Sequence, residues 1–501
     1  MWLEWTLVIG AVWAGHWVLW RGFFSASRRR YPPSFYGFPL VGVFPFIVWD
    51  RDHVELAKRI ADTHGPVFRF RMGLSNVVMV NGGTAVKEAL KNNDLLGRPP
   101  LPVLDLLYRL LGGKVLISME GYKWRVIRNF SVHSLRDLGF GKTPLMESKI
   151  TDEISFFLHD LSLSQSAAHN PRESLLASVS NNIATLIFGD RLPYNHPKRR
   201  DLNLFLMTFI KSVGYLFTFS LLPVLQDIMD FFGVRLIREL RSAAKRAGAI
   251  FDDELNEHLK MHQPGEARDF MDQLIEKSST DSLFDQAVIR GSCVSFFGAG
   301  SNTSRIVLEY LLQLAAAYPH LQESMYQEII REVGDSRLPC WADKDNLHMV
   351  NAFIQERHRI FSVVPFGVFR RATCDTTVCG FDVPKGSVII YNLHSVHCDP
   401  TLFDQPEDFN PARFLDSNGK FVASNNVIPF AIGKRACPGE TFGVFEIFLY
   451  FAAILQRYRI MPGVGGTVQL NRCKQFFSEP ISQPLRFINR VPPATEHLQT
   501  T

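Results

Sequence analysis

The chain has 501 residues, 46% of them hydrophobic, and a formal net charge of +5, enough for one large domain or two to four smaller ones with a substantial core. Its Lys and Arg residues are not gathered into the dense blocks that nucleic acid requires; the mild basic excess suits an acidic docking partner or an anionic membrane surface. Seven cysteines, an odd number without regular spacing, indicate neither a disulfide framework nor a zinc knuckle.

In chain order, Trp5 to Trp20 carries no charged residue. With its apolar flanks it gives roughly 20 to 24 residues, enough to cross a hydrocarbon core of about 30 Å. Ser25-Ala26-Ser27 offers small residues at a signal-cleavage position, but no positive charge precedes the apolar run, whereas Arg21 and Arg28 to Arg30 follow it. Positive charge on the C-terminal side keeps that side cytosolic, so residues 1–24 are expected to be a retained single-pass anchor. Residues 25–45 are basic and then rich in Pro and Gly, a stiff hinge or linker, and residues 46–501 are expected to form the globular body.

Helical spacing covers Val54 to His64 and Thr84 to Asn92, and between them Val67 to Val80 alternates as two strands about a turn at Gly73. Trp124 and Arg128, four apart, share a helical face and could hold one anionic group, although such pairs are also common on solvated helices. Glu147 to Leu240 reads as helices broken near Pro171, Asp190 to Lys198 and Pro223. Its strongly apolar part from Phe205 to Phe232 fits either a buried helix pair or a surface dipping into a bilayer.

A long helix is expected from Asp285 to Tyr318. Gly298 and Gly300 within it cost about 1 kcal/mol each relative to alanine, which points to a local opening or a closely approaching ligand, with the Thr303 hydroxyl one turn after Ala299. Glu356 and Arg359, three apart, form a same-face ion pair. His394 and His397 read as structural residues in a strand and loop.

The stretch Pro429 to Glu440 carries the chemistry. Cys437 sits between Gly433 and Gly439, behind Lys434 and Arg435 and just before an apolar helix. Cations and helix N-terminal N–H groups there are expected to favour the thiolate, and a thiolate ligand on haem iron promotes O–O cleavage. The competing reading is a small buried hydrophobe, the commonest fate of a free cysteine.

Phe430, Gly433, Arg435, Cys437 and Gly439 match the signature Phe-x-x-Gly-x-Arg-x-Cys-x-Gly, so the chain resembles the cytochrome P-450 superfamily and, through Glu440, its microsomal family 2 branch. The resemblance extends to Glu356-x-x-Arg359, to the Pro406 to Phe414 segment whose Arg413 would lock onto that pair, and to Ala299-Gly300-x-x-Thr303. It implies a mainly α fold with a small β region, the cytochrome P-450 fold, behind one N-terminal transmembrane helix.

It further implies haem b with Cys437 as axial thiolate, and Arg98, Trp124, Arg128, Arg370 (or Arg371), Arg435 and Phe430 as cofactor-binding residues. Val115, Phe297, Ala299, Val364 and Phe477 would line an apolar substrate pocket, and residues 205–232 would include the substrate-access helices. The implied activity is monooxygenation of a lipophilic substrate at the endoplasmic reticulum membrane, the catalytic domain cytosolic. Electrons would come from NADPH–cytochrome P-450 reductase, with cytochrome b5 as a further donor.

One position departs from the pattern: Asn302 stands where the family usually has Asp or Glu. An amide orients water but cannot relay a proton by ionising. Thr303 and Asn302 are therefore the candidate residues for oxygen and proton handling, by a slower or water-routed supply. Two alternatives stay open, a haem-thiolate isomerase or dehydratase of an oxygenated lipid that needs no reductase, and a haem-binding scaffold without turnover.

Overall fold

The computed structural model describes residues 29–38, 41–73, 75–100, 110–111, 116–139, 143–219, 234–463, 465–472 and 474–490, without side-chain detail for 213–219. The apolar run at 1–24 and the expected pocket residue Val115 lie outside them. Among the described residues no helix is long and apolar enough to cross a membrane.

Two short helices, α1 (Phe44–Trp49) and α2 (His53–His64), lead into β1 (Val67–Met72), β2 (Ser75–Val80) and α3 (Gly83–Lys91). Then come α4 (Gly121–Asp137), α5 (Pro144–Ser162), α6 (Arg172–Phe188), α7 (Pro197–Phe219), α8 (Arg235–Met261), α9 (Phe270–Thr280), α10 (Gln286–Ala317), α11 (Pro319–Glu332) and α12 (His348–Ile360). Four short strands follow: β3 (Arg370–Arg371), β4 (Thr376–Val378), β5 (Phe381–Val383) and β6 (Val388–Tyr391). The chain closes with α13 (Leu393–His397), α14 (Glu440–Arg457), β7 (Tyr458–Pro462) and β8 (Leu485–Asn489).

Helix α10 is the axis of the fold. Asp285 caps its first turn, accepting from the Val288 N–H at 2.8 Å, and apolar residues occupy all sides of it, the pattern of a helix surrounded by protein. It packs against α6 and α14, and between those two runs a buried polar seam. Asn182 donates to Glu446 at 2.7 Å and Ser178 shares a 2.6 Å hydrogen bond with Tyr450. Burial pushes the Glu446 carboxyl up to about 7.

The larger sheet has the order β1-β2-β6-β3. Strand β6 runs parallel to β2 and antiparallel to β3, pairing Arg370 with Ile389. Val388 and Ile390 pack into one apolar cluster and Ile389 and Tyr391 into another, so both faces of this strand are covered. The proline-rich stretch borders this sheet, with the Phe35 N–H on Arg69 O and the Val43 N–H on Arg71 O, both at 2.8 Å. Its residues 33–43 thus lie along the edge of the globular body.

Two further local readings change. His394 and His397 lie on α13, a short helix started by the Asn392 side chain, which accepts from the Ser395 N–H at 3.0 Å. Gly298 and Gly300 do not interrupt α10. A Cβ on Gly300 would lie 2.8 Å from Ile183 Cδ1, so that glycine permits the close crossing of α6 and α10.

Candidate haem-thiolate site

The cysteine loop is shaped by one glycine and two main-chain bonds. Gly433 has φ +82°, and a Cβ there would sit 2.7 Å from Leu90 O, a conformation and a clearance that glycine alone meets. The Cys437 N–H donates to Phe430 O at 2.9 Å and the Ala436 N–H to Gly433 O at 3.0 Å. These fold the loop back on itself before α14 begins at Glu440. The Phe430 ring lies 5.9 Å from that of His358 on α12, anchoring the base of the loop.

Cys437 presents its side chain to solvent, yet burial is the chief influence on its thiol and pushes it up, with Glu440 adding and the Gly439 N–H and Arg128 opposing. Arg435 turns away, donating to Leu96 O at 2.7 Å and Met119 O at 2.8 Å. A bound metal deprotonates a coordinating thiol outright.

Arg435 belongs to a cluster of cations. Its guanidinium carbon lies 3.5 Å from the Trp124 ring centroid, and that of Arg128, one turn along α4, lies 6.0 Å from the same ring. Arg128 donates to Ala436 O at 2.6 Å, Arg370 to Leu90 O at 3.2 Å, and Arg98 to Val368 O at 2.9 Å. Glu120 is held by Arg371 at 2.5 Å and by the Arg98 N–H at 2.8 Å. This pairing separates the two adjacent arginines: Arg370 joins the cluster and Arg371 does not.

Burial, then the charges of Arg98, Arg370 and Arg128, drag Arg435 down to about 8, with Glu120 only partly offsetting them. Four guanidiniums gathered beside a cysteine, on main-chain carbonyl acceptors, form a place built for an external anion. A flat macrocycle with two carboxylates and a metal for the sulfur fits this donor set.

Behind the loop, Glu356 on α12 is fully buried and accepts from Arg359 at 2.7 and 2.8 Å, from Arg413 at 3.1 Å and from the Asn410 N–H at 2.8 Å. His397, which the sequence reading left as structural, links this triad to the cysteine loop. Its carbonyl accepts from Arg359 at 2.9 Å, Nε2 accepts from the Ile428 N–H at 2.9 Å, and Nδ1 donates to Ser362 Oγ at 3.0 Å. The main-chain donor fixes this neutral tautomer, and burial holds the ring down to about 3. Sequence offered no signal for it, because the bond depends on where α13 lies.

On α10, Ala299 is exposed and Thr303 half-buried, and the Thr303 hydroxyl donates to Ala299 O at 2.8 Å. Asn302 is fully buried and donates to Leu206 O on α7 at 2.9 Å. Among the other expected pocket residues, Val364 and Phe477 are half-buried, and the Ser478 N–H donates to Val363 O at 2.9 Å, joining their two segments. Phe297 is different. It is fully buried, its ring 5.7 Å from Phe251 and 6.3 Å from Phe188, and so packs among α6, α8 and α10.

The loop, the cation cluster and the buried triad together define a haem-thiolate protein. The Cytochrome P450 family model matches residues 32–483. The chain is 30% identical over 499 residues to human cytochrome P450 2J2, covering 97% of this chain and 96% of that protein. It is 32% identical over 447 residues to rabbit (Oryctolagus cuniculus) cytochrome P450 2E1, covering 87% and 88%. Over 455 residues it is 31% identical to chicken (Gallus gallus) cytochrome P450 2H2, covering 88% and 89%. The chain belongs to the cytochrome P450 family, as a mainly helical haem-thiolate monooxygenase with small sheets, its haem held through a cysteine thiolate.

Proposed function

We propose that Cys437 supplies the axial thiolate of haem b, that Arg98, Trp124, Arg128, Arg370 and Arg435 hold its two carboxylates, and that the enzyme hydroxylates or otherwise oxidises a lipophilic steroid, fatty acid or xenobiotic. The observation that carries this reading is the convergence of the four guanidiniums beside Cys437, which gives a dianionic cofactor charged partners on one side and a metal ligand on the other. When bound, that cofactor supplies oxygen activation strong enough to oxidise an unactivated C–H bond.

The protein's own part is positioning and proton control. Arg435, stacked on Trp124, and Arg128 fix the orientation of the carboxylates. Ala299, Val364 and Phe477 offer an apolar surround that excludes water and favours lipophilic substrates. Thr303 Oγ1 is the proton-handling atom: its hydroxyl is parked on Ala299 O and can turn to donate into the space beside that residue. Electrons would arrive from NADPH through NADPH–cytochrome P-450 reductase, with cytochrome b5 as a second donor, at the face carrying the exposed Lys434. The uncharged run at Trp5 to Trp20, followed by arginines, supports a single-pass anchor in the endoplasmic reticulum membrane with a cytosolic catalytic domain.

The test is turnover of a steroid, fatty acid and drug-like panel by the purified protein with reductase and NADPH. Products are expected only when both are present; formation from a lipid peroxide without either would replace this reading with the isomerase or dehydratase one. In the same assay Thr303→Ala is expected to leave the carbon monoxide difference spectrum intact while product per NADPH falls by on the order of 10²-fold, the usual scale of one proton-transfer group. Unchanged coupling would remove Thr303 from the mechanism.

A further inference from the structure

The face on which Asn302 lies decides what it does. Adjacent helical residues point about 100° apart, and here that rotation separates two roles. Thr303 is half-buried with its hydroxyl beside Ala299, whereas Asn302 is wholly enclosed and directed at α7. Its Nδ2 donates 2.9 Å to the main-chain oxygen of Leu206, and its Oδ1 is buried with no hydrogen-bond partner.

A main-chain carbonyl accepts and cannot donate. The amide is therefore suited to this contact, and a carboxylate, which only accepts, would set two oxygens against each other. Elsewhere α7 is pinned near its start: Lys198 reaches Glu254 at 3.0 Å, Arg199 reaches Ser180 at 2.6 Å, and Arg246 reaches Asp201 at 2.8 Å. Leu206 lies further along, where Phe205, Leu206 and Ile210 are buried and the helix lies against α10.

We propose that Asn302 is a positioning residue, a latch from α10 to the middle of α7 that sets how readily α7 lifts from α10, and not a carrier of protons. The substitution of an amide for the family's acid thus exchanges a group that could relay protons for one that fastens a helix. The orphaned Oδ1 keeps the latch reversible, because closure leaves one acceptor unsatisfied and opening restores it to water. This rests on the reading of α10 as the helix beside the haem.

Hydrogen exchange of residues 203–212 in the purified holoenzyme tests it. Asn302→Leu, similar in size without the donor, is expected to raise exchange in that segment at least tenfold and to leave residues 197–201 within about twofold. Asn302→Asp, whose carboxylate would oppose Leu206 O, is expected to raise exchange in the same segment as the leucine variant does. Asn302→Ser, too short to reach Leu206 O, repeats the exchange measurement if the leucine variant does not retain haem. Unchanged exchange of residues 203–212 in the leucine variant, or in the serine and aspartate variants where the leucine variant loses haem, overturns the latch. Exchange reads α7 directly, so a missing red-shifted carbon monoxide band in the parent would overturn the haem-thiolate reading separately.

Discussion

Glu356→Gln is expected to destabilise the protein by about 3–5 kcal/mol, the scale for leaving a buried charge without its partner. The carboxylate is fully buried and serves four donors: two guanidinium N–H groups of Arg359, one of Arg413 and the Asn410 main chain. Arg359 stays where it is after the substitution, because its other N–H groups are held by His397 O at 2.9 Å, Pro406 O at 2.6 Å and Asp408 O at 3.0 Å. Its buried charge then lacks a counter-ion. Through His397 and the Ile428 N–H the damage reaches the strand of chain that leads into the cysteine loop. Thermal unfolding is expected to start roughly 3–5 °C lower, with haem lost on purification. A variant with parental Tm and full haem content would show that the triad does not brace the loop.

The second large effect is on cofactor retention. Arg435→Ala is expected to lower haem affinity at least tenfold, about 1.4 kcal/mol or more, read from the ratio of Soret to protein absorbance after dialysis. Arg435 stacks on Trp124 and is fastened to Leu96 O and Met119 O, so its remaining donors are pre-aimed. Burial and the charges of Arg98, Arg370 and Arg128 all oppose its own charge. Removing it relieves repulsion in the apoprotein while depriving a carboxylate of its partner, and apoprotein Tm is expected to change little as haem is lost. Arg435→Lys should rescue poorly, because an ammonium neither stacks nor presents the same fork. Parental haem content in the alanine variant would remove Arg435 from the cofactor site.

Much of this was legible along the chain because it rests on local spacing. The Glu356 and Arg359 pair needs only one helical turn, and Trp124 and Arg128 likewise share a face by their four-residue separation. The alternation from Val67 to Val80 appears as β1 and β2.

What was not legible is direction. Adjacency placed Arg435 beside Cys437 as a thiolate stabiliser, whereas its side chain crosses to Trp124, a residue more than three hundred positions away. Asn302 and Thr303 are neighbours in sequence and face different parts of the protein. Gly300 reads as a weak point in a helix until the crossing of Ile183 supplies the reason for it. Phe297, which the family resemblance places in the pocket lining, has its ring packed against Phe188 and Phe251, contacts that no spacing rule gives. His397 gains its function from three partners on three separate segments, a relation no spacing rule contains.

The central claim is that Cys437 ligates haem iron, and the reduced carbon monoxide difference spectrum tests it most directly. The parent protein is expected to show the red-shifted Soret band of a thiolate-ligated haem, and Cys437→Ala to lose that band entirely. Persistence of the same band in Cys437→Ala would contradict the assignment.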